Sequence, residues 1–600
     1  MILSNTPAQR LARAGLATLL SAAVHAFAAD ATAPPSDMPD LGPNVHVFDP
    51  SMPSATIQAA LDRAFDAQLL SPDAEFGSQR VAFLFKPGHY DVTARLGYYT
   101  SVQGLGLDPD AVRITGNVVA DSGWNLHDRA NALINFWRSV ENLSVAPAGG
   151  TTTWAVSQAA PMRRVHILGN LRVSPNNDGK PGQGWSSGGY LADSRIDGGV
   201  ATGGQQQWYT RGSNVGGWQG GGWNTVFSGV VGAPATSFPK PPVTTLATTP
   251  RSREKPWLYV DDDGKYRVFL PALRIDASGA SWSVQASTRG TSLPLRRFHV
   301  ARPGDTAATL NVALAAGLNL LFTPGVYPLE QTVVVSRADT VVLGLGYATL
   351  QPVAGITPMA VADVGGVRIA GLLFDAGTAN SAALLVVGPA GAAAHHAADP
   401  ISVQDVFFRI GGAVAGRATQ SLVVNANDTL VDHVWAWRAD HGSVRPGWTV
   451  NPADTGVTVN GADVLATGLF VEHYRKHQVV WNGENGRTIF FQNEMPYDVP
   501  DQAAWSSGRG HGWAAYKVGD RVTTHEAWGL GSYCFFSIGG RNTHVDAARA
   551  FEVPEAPGVR LHDLVTVSLG GHGSISHVVN DRGGATKPTG AEAIDLLRYP

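Results

Sequence analysis

The stretch RVAFLFKPGHY, residues 80–90, decides the fold because it occurs twice. Its counterpart is LNLLFTPGVY, residues 318–327, whose proline follows the first proline by 237 positions. Each copy comes after a segment with apolar residues at helical spacing, at 56–68 and 306–316. Each copy is followed by a Gly-Leu-Gly, and the two Gly-Leu-Gly motifs are 240 positions apart. The nearly constant offset indicates internal duplication of a whole domain.

Short β-rich runs separated by Gly, Asn and Asp recur within each half, for example at 367–374, 401–408 and 464–471. Helical patterns between these runs are not evident, which argues against a doubly wound sheet or a barrel of alternating elements. We therefore predict an all-β chain of two tandem single-stranded parallel β-helix domains, each capped by its opening helix. A pair of antiparallel β-sandwiches stays open, because period-two runs do not set strand direction.

The composition limits which fold classes and which binding partners are expected. The chain has 600 residues, 69 of them glycine, and only 15% are charged, which suits many short strands and turns. The formal charge of -4 offers no basic surface, so we expect no nucleic-acid partner. The single cysteine, Cys534, excludes an internal disulfide framework.

The first residues predict export. Two arginines precede an apolar run that ends in Ala-Phe-Ala at 26–28, which has the form of a signal-peptidase site. We predict a signal peptide at 1–28, a leader at 29–50, and a mature protein that is secreted or periplasmic without a membrane partner. An uncleaved N-terminal membrane anchor is the alternative. The predicted domains are 51–280 and 301–600, joined by a linker at 281–300.

The segment FVEHYRKHQVVWNGENGRTIFFQNEMPYDVPD, residues 470–501, carries the candidate chemistry. Glu472 and Glu494 are 22 positions apart, close to one coil of a β-helix, so we expect them on neighbouring strands. Two carboxylates that close do not both ionise readily, and one holds a proton toward neutral pH, as the general acid of a glycosidase must. A surface pair neutralised by nearby basic residues is the alternative. Glu484, between two Asn-Gly pairs, is expected to be a turn residue.

Strand alternation predicts that Phe490, Gln492 and Glu494 share one face, opposite Ile489, Phe491 and Asn493. An aromatic ring, an amide and a carboxylate on one face suit sugar binding. Tyr497, in the following loop, could donate its hydroxyl across a cleft.

The first half offers a second candidate surface. Gln206, Trp208 and Arg211 lie in the aromatic- and amide-rich stretch GQQQWYTR, whose residue types suit stacking on pyranose rings and hydrogen bonding to them. Tyr190 and Ser194 are expected on the same face of one strand. Core packing is the alternative for all five residues.

Other catalytic signatures are weak. A Gly-Trp-Ser-Ser-Gly at 184–188 matches the letters of a nucleophile elbow but lacks the strand-turn-helix context. No cluster has convincing zinc or calcium spacing, so we predict no metal and no cofactor.

The sequence resembles glycoside hydrolase family 55, the β-1,3-glucanases built from two tandem right-handed, pectate-lyase-like β-helices. The resemblance rests on the duplicated Pro-Gly-x-Tyr elements, on GQQQWYTR, on REKPWLYVD at 253–261 and above all on WNGENGRTIFFQNEMPYDVP at 481–500. It implies exo-acting, inverting hydrolysis of β-1,3-glucan in a cleft between the two helices, without a metal.

By the same resemblance, Glu494 is the general acid, and Glu472 and Tyr497 lie in the active site. Tyr190 and Ser194 match residues that hold the attacking water, and Asn170 takes the place of a glutamine that assists them. The general base stays open. We expect a monomer whose partner is β-1,3-glucan. A non-catalytic polysaccharide-binding β-helix and a polysaccharide lyase are the alternative functions.

Overall fold

The structure of the protein is a computed structural model that describes residues 39–69, 71, 73–124, 129–175, 184–282, 289–508, 510–537 and 544–600. Residues 41–600 cluster as one unit. The predicted signal peptide and the predicted leader up to residue 38 lie outside the described residues. No helix in the described part of the chain is long and apolar enough to cross a membrane.

The N-terminal half opens with helix α1, Ser54–Leu69, which buries Ile57, Leu61 and Phe65 because these residues recur at helical spacing. Ile57 and Leu61 pack against the first coil, so the helix caps the core as predicted. The strands of this half are β1 (Val45–Phe48), β2 (Val81–Phe85), β3 (Gly88–Arg95), β4 (Thr100–Gly104), β5 (Val112–Val119), β6 (Arg138–Pro147), β7 (Thr151–Thr153), β8 (Pro161–Ile167), β9 (Asn170–Arg172), β10 (Trp185–Ser186), β11 (Tyr190–Ala192), β12 (Arg195–Ala201), β13 (Gly204–Gln205), β14 (Gln207–Arg211), β15 (Asn214–Gln219), β16 (Asn224–Ser228) and β17 (Val243–Leu246).

Two small antiparallel sheets follow, and they differ from the parallel pattern on either side. Strand β18 (Thr249–Ser252) pairs with β21 (Arg274–Ala277), and β20 (Tyr266–Pro271) lies between β19 (Trp257–Val260) and β22 (Gly290–Pro294).

The C-terminal half repeats the plan. Its helix α2, Ala307–Ala315, begins at Thr306, whose hydroxyl accepts a hydrogen bond from the Thr309 amide. Its strands are β23 (Phe298–Ala301), β24 (Asn319–Phe322), β25 (Val326–Leu329), β26 (Val333–Val335), β27 (Val341–Gly344), β28 (Thr349–Pro352), β29 (Met359–Val361), β30 (Arg368–Asp375), β31 (Ser381–Val387), β32 (Ser402–Ile410), β33 (Ala418–Val424), β34 (Leu430–Arg438), β35 (Thr455–Val459), β36 (Leu465–Glu472), β37 (Val479–Trp481), β38 (Gly486–Glu494), β39 (Tyr516–Val518), β40 (Thr524–Phe536), β41 (Phe551–Glu552), β42 (Gly558–Gly571) and β43 (Ala593–Tyr599). Four single turns of 3-10 helix complete the described elements: Ala74–Phe76, Pro109–Ala111, Ala148–Gly150 and Leu295–Arg297.

Successive coils pair in parallel, which confirms the tandem β-helix and excludes the sandwich alternative. In the first half β8, β11, β14, β16 and β17 follow one another in a single sheet. In the second half β32, β34, β36, β38 and β40 do the same. A second sheet of this half consists of β26, β29, β31, β33, β35, β37, β39 and β41.

Two predicted boundaries differ from the structure. The predicted leader at 29–50 contains β1, which pairs with β2 because its Val-His-Val-Phe sequence alternates and can extend the sheet. The predicted linker at 281–300 contains β22 and the first residues of β23. Residues 283–288 of that linker lie outside the described part of the chain.

One position in each strand that faces the N-terminal half has a left-handed backbone. It is occupied in successive coils by Asp405, His433, Gly468, Phe490 and Gly529, which all have φ between 49° and 67°. A left-handed residue interrupts the alternation of side chains along the strand. Ile489 therefore joins Phe490 in the contact between the halves, instead of lying on the opposite face with Phe491 as predicted.

The two halves meet through an apolar layer. Aromatic residues of the first half pack against aromatic residues of the second, and all of them are buried: Tyr99, Phe136, Trp137, Tyr190 and Tyr209 against Phe407, Trp435, Trp437, Phe470 and Phe490.

A buried network of charges lies beside this layer, and we call it the interdomain ion cluster. Arg211 contacts Glu254 at 2.7 Å, Arg163 contacts Asp405 at 2.9 Å, and Lys255 contacts Glu141 at 2.8 Å. Its members are Glu141, Arg163, Arg211, Glu254, Lys255, Asp405 and Asp432. Because buried charges require partners of opposite sign, the cluster fixes how the halves pack.

Candidate active site

Two glutamates end neighbouring strands at the contact between the halves. Phe470 of β36 pairs with Gln492 of β38, and the strands end two residues later at Glu472 and Glu494. Neighbouring strands are about 4.8 Å apart. The two carboxylates therefore lie side by side, as the spacing of 22 positions predicted.

Glu472 is buried, and both of its carboxylate oxygens accept hydrogen bonds. The Gln158 side-chain amide donates to Oε1 at 2.7 Å, and the Trp435 indole N–H donates to Oε2 at 2.8 Å. Burial and the neighbouring Glu494 raise the pKa of Glu472 well above its usual range.

Glu494 is partly exposed and can reach a ligand. The Tyr497 hydroxyl donates a hydrogen bond to its Oε2, and the Ser187 hydroxyl lies within hydrogen-bonding range. Burial against the surrounding groups raises the pKa of Glu494 above its usual value, although Tyr497 and the positive field of His473 oppose the rise.

The pair therefore retains one proton toward neutral pH, and the hydrogen bonds favour Glu494 as its holder. The amide of Gln158 and the indole of Trp435 only donate, so they stabilise the ionised form of Glu472. Glu494 is the member of the pair that faces solvent, so it is the one from which a proton can reach a ligand.

A third carboxylate, Asp440, lies nearby between two histidines. His441 contacts it at 2.9 Å and also contacts Glu75 of the N-terminal half at 2.8 Å, while His473 lies 3.9 Å away. Although burial opposes it, the charges of His441 and His473 hold the pKa of Asp440 well below its usual range. Asp440 thus adds a negative charge near the pair.

Aromatic rings bound one side of the site. Trp435 stacks on Trp437 at 5.0 Å, and Phe136 of the first half packs on Trp435 at 4.7 Å. These rings are buried in the contact between the halves, where they hold the Trp435 indole against Glu472. The described residues contain no group of three or more histidine, cysteine or acidic side chains that could hold a metal ion.

Comparison with known proteins agrees with this geometry. Residues 298–494 match a family described as the LAM55 pectate lyase-like domain. An exo-beta-1,3-glucanase of Streptomyces sp. (strain SirexAA-E / ActE) is 55% identical over 562 residues, which are 94% of this chain and 90% of that protein. The chain belongs to glycoside hydrolase family 55.

Solved structures agree with the placement in family 55. The structure of sacteLam55A from Streptomyces sp. SirexAA-E has a TM-score of 0.89 and 55% identity, and the match covers 94% of this chain and 99% of that one. A glutamate-to-alanine variant of sacteLam55A in complex with glucose matches with the same TM-score, at 54% identity and the same coverage of both chains.

Four of the residues expected from sequence lie together at this candidate site. Tyr497 donates a hydrogen bond to Glu494, and Glu472 ends the neighbouring strand. The Gln492 side chain on β38 is close enough to Glu472 to oppose the rise in its pKa. All four come from the segment at 470–501, where coil spacing could be read directly.

Two residues expected to hold water or sugar lie instead at the interdomain ion cluster. The Tyr190 hydroxyl is buried and donates to Asp432 at 2.6 Å. The Arg211 guanidinium forms ion pairs with Glu254 and Asp432. The sequence prediction failed here because the acidic partners are distant in the chain.

Three further predicted residues are structural. The Ser194 hydroxyl is buried, donates to the Ala192 carbonyl and accepts from the Val165 amide. Asn170 is exposed and accepts from the Gly199 amide at a turn. Trp208 is buried in the core of the first β-helix.

Gln207, and not the predicted Gln206, contacts Ser187 beside the glutamates. Gln206 lies between β13 and β14, and Gln207 is the first residue of β14. The Gln207 amide donates to the Ser187 hydroxyl at 3.2 Å, and no side-chain hydrogen bond of Gln206 occurs among the described residues. The binding role of this stretch stays a prediction.

Sequence reasoning missed Gln158 and Ser187, which supply the N-terminal half of the site. Ser187 lies in the Gly-Trp-Ser-Ser-Gly segment, which was considered only as a nucleophile elbow. The signal available was its position, because Ser187 lies between the short strand β10 and two glycines.

Proposed function

We propose that this family 55 enzyme hydrolyses β-1,3-glucan from a chain end and releases glucose. The observation that carries the proposal is the pair of adjacent glutamates, one held by two hydrogen-bond donors and the other partly exposed with a raised pKa. The printed activity of the Streptomyces relative and the glucose complex of sacteLam55A support the choice of glucan as substrate.

Glu494 is the general acid in this proposal. Its proton passes to the glycosidic oxygen as the bond breaks, and the Tyr497 hydroxyl stabilises the carboxylate that remains. Glu472 supplies the negative charge that keeps Glu494 protonated before the reaction. Glu472 lies too near Glu494 to be the base of an inverting enzyme, whose two carboxyl groups are usually about 6.5–9.5 Å apart.

Gln158 and Ser187 position the attacking water, in place of the predicted Tyr190 and Ser194. Both belong to the N-terminal half, and both hydrogen-bond to a glutamate of the C-terminal half. In the hydrolysis step the water oxygen bonds to the anomeric carbon while the bond from that carbon to the leaving oxygen breaks. The leaving oxygen takes the Glu494 proton, and the proton of the attacking water passes to bulk water. Hydrolysis with inversion is what the resemblance to family 55 implies.

We also propose export of the protein and action as a monomer. Export rests on the N-terminal sequence pattern. The monomer rests on the composition of the site, because every group named above comes from a single chain.

Product analysis on laminarin tests the proposal. We expect glucose as the first and main product, appearing initially as the α-anomer in proton NMR spectra. Oligosaccharides of mixed length would contradict action from the chain end, and an initial β-anomer would contradict inversion. The absence of any product would contradict the function itself.

A further inference from the structure

A second cavity of about 320 Å³ lies at the opposite ends of the same strands. It is lined by the first residues of β36, β38, β40 and β42 and by Arg251 of the segment that joins the halves. Its volume falls in the range of small-ligand pockets, roughly 300–1,000 Å³. Nothing in the proposed reaction uses it.

This cavity is separate from the glutamate pair. Arg487 lines the cavity near the start of β38, and Glu494 ends the same strand seven residues later. At about 3.3 Å per residue, the two are roughly 20 Å apart. Ile489 and Phe490 lie between them and are buried against the first half, so the cavity is not an extension of the cleft.

The lining carries charges of both signs. Arg251 is held by Asp428 at 3.2 Å, and Glu526 contacts His562 at 3.3 Å. The Arg487 guanidinium and the Asp463 carboxylate make no ion pair or side-chain hydrogen bond with any residue that the structure describes. Two guanidinium groups and two carboxylates disfavour an anion and suit the hydroxyl groups of a neutral sugar.

An aromatic residue, Trp528, lies on β40 near the cavity but is not part of its lining. Trp528 follows Glu526 by two positions on β40, and both side chains face the N-terminal half, because Ala527 between them lies in the core. Trp528 is partly exposed and stacks on His562 at 5.4 Å with an angle of 11° between the rings. A partly exposed indole beside paired donors and acceptors is typical of carbohydrate binding.

We propose that this cavity is a second binding site for a neutral β-1,3-linked glucan segment. The inference rests on the proposed function for its choice of sugar. Arg487, Asp463 and Glu526 bind hydroxyl groups of the ring inside the cavity, and Trp528 lies where a neighbouring sugar unit of the same chain would leave it. The site holds the polysaccharide while a chain end enters the cleft on the other side of the contact between the halves.

The test measures binding to insoluble β-1,3-glucan by depletion of protein from solution, in the Glu494→Gln background so that the polymer stays intact. Loss of a charge-assisted hydrogen bond is expected to weaken binding about tenfold in Arg487→Ala. Arg560→Ala is the matched control, because Arg560 is an exposed arginine on β42 next to Glu526 in the sheet but does not line the cavity. We expect it to bind within about twofold of its parent.

An unchanged binding isotherm for both Arg487→Ala and Glu526→Gln would overturn the proposal. The proposal would also be overturned if millimolar inorganic phosphate competed with glucan for the protein and this competition disappeared in Arg487→Ala. The site would then bind an anion. Glucose release from laminarin by the unmodified protein tests the proposed function separately. If the unmodified protein releases glucose but the variants bind glucan as strongly as their parent, only the second site is refuted.

Discussion

The side-chain amide of Gln158 donates a 2.7 Å hydrogen bond to Glu472, a residue 314 positions away in the other β-helix. This bond joins the two halves at the catalytic pair itself. Glu472 therefore has this hydrogen bond only when the halves are packed together, whereas its bond to Trp435 lies within the C-terminal half. The duplicated domain thus has one site rather than two.

Replacing Gln158 by leucine should shift the acid limb of the pH–rate profile. Without the amide donor, the ionised form of Glu472 is less stable, so the pKa of Glu472 rises further. Activity that requires this charge is then lost at a higher pH. We expect a shift of about one pH unit and a roughly tenfold lower kcat near neutral pH, measured on a soluble glucan oligosaccharide.

Trp435→Phe removes the other donor to Glu472 and should move the acid limb in the same direction. Gln58→Leu is the control, because Gln58 also donates side-chain hydrogen bonds but lies on α1. A profile for Gln158→Leu that coincides with the Gln58→Leu profile would show that Gln158 does not act on Glu472.

Tyr497→Phe should shift the alkaline limb. The Tyr497 hydroxyl favours the ionised form of Glu494, so its removal raises the pKa of Glu494. The acid then keeps its proton to a higher pH, and the alkaline limb moves upward while kcat falls about tenfold. The pH profile of kcat checks both effects. Tyr259→Phe, which loses a hydroxyl contact with Ser292, should leave the limb in place.

His525→Gln should make the protein less sensitive to acid. Burial lowers the pKa of His525 to about 3, compared with 6.5 in an unfolded chain. Between these values the unfolded chain binds a proton that the folded protein does not, so stability falls as the pH drops. The slope is about 1.4 kcal/mol per pH unit.

Urea unfolding at pH 6 and pH 4 measures this difference. We expect the unmodified protein to lose roughly 2–3 kcal/mol more than His525→Gln across that interval. His299→Gln, at a partly exposed ion pair with Asp305, is the control. Equal losses in all three proteins would exclude His525 as a source of acid sensitivity.

Glu254→Gln should destabilise the protein strongly. Glu254 is buried and accepts from both Arg211 and Arg163, so the substitution leaves cations without full compensation. Breaking a buried ion pair costs about 3–5 kcal/mol. Glu592→Gln breaks an exposed pair with Lys587 and should cost less than about 1 kcal/mol. The difference between the two variants in urea-unfolding free energy checks this expectation.

The duplicated β-helix could be predicted from the sequence because the repeated motifs are short, continuous stretches of the chain. The repeated stretch before each Pro-Gly-x-Tyr and the two helices could be read without knowing how the halves pack. The helices run over Ser54–Leu69 and Ala307–Ala315, within two residues of the predicted bounds. Glu472 and Glu494 were paired correctly for the same reason, because one coil separates them.

The N-terminal half of the site could not be predicted in this way. Which side chains cross to the other half depends on the packing of two sheets and on left-handed residues such as Arg164 and Asp193, which change the alternation of their strands. Tyrosine is a residue type that suits an active site, but in the folded protein the Tyr190 hydroxyl donates a hydrogen bond to Asp432. Gln158 lies just before β8 and carries no motif.

The most direct test of the account is the activity of Glu494→Gln on laminarin. Glutamine keeps the shape of the side chain but cannot donate the proton, so kcat should fall by about 10²–10⁴-fold while the urea-unfolding midpoint stays near that of the parent. Glu484→Gln is the matched control, because Glu484 lies in a turn where it accepts from Thr523 and Thr524. It should retain activity within about twofold. Near-parental activity of Glu494→Gln would contradict the assignment of Glu494 as the general acid.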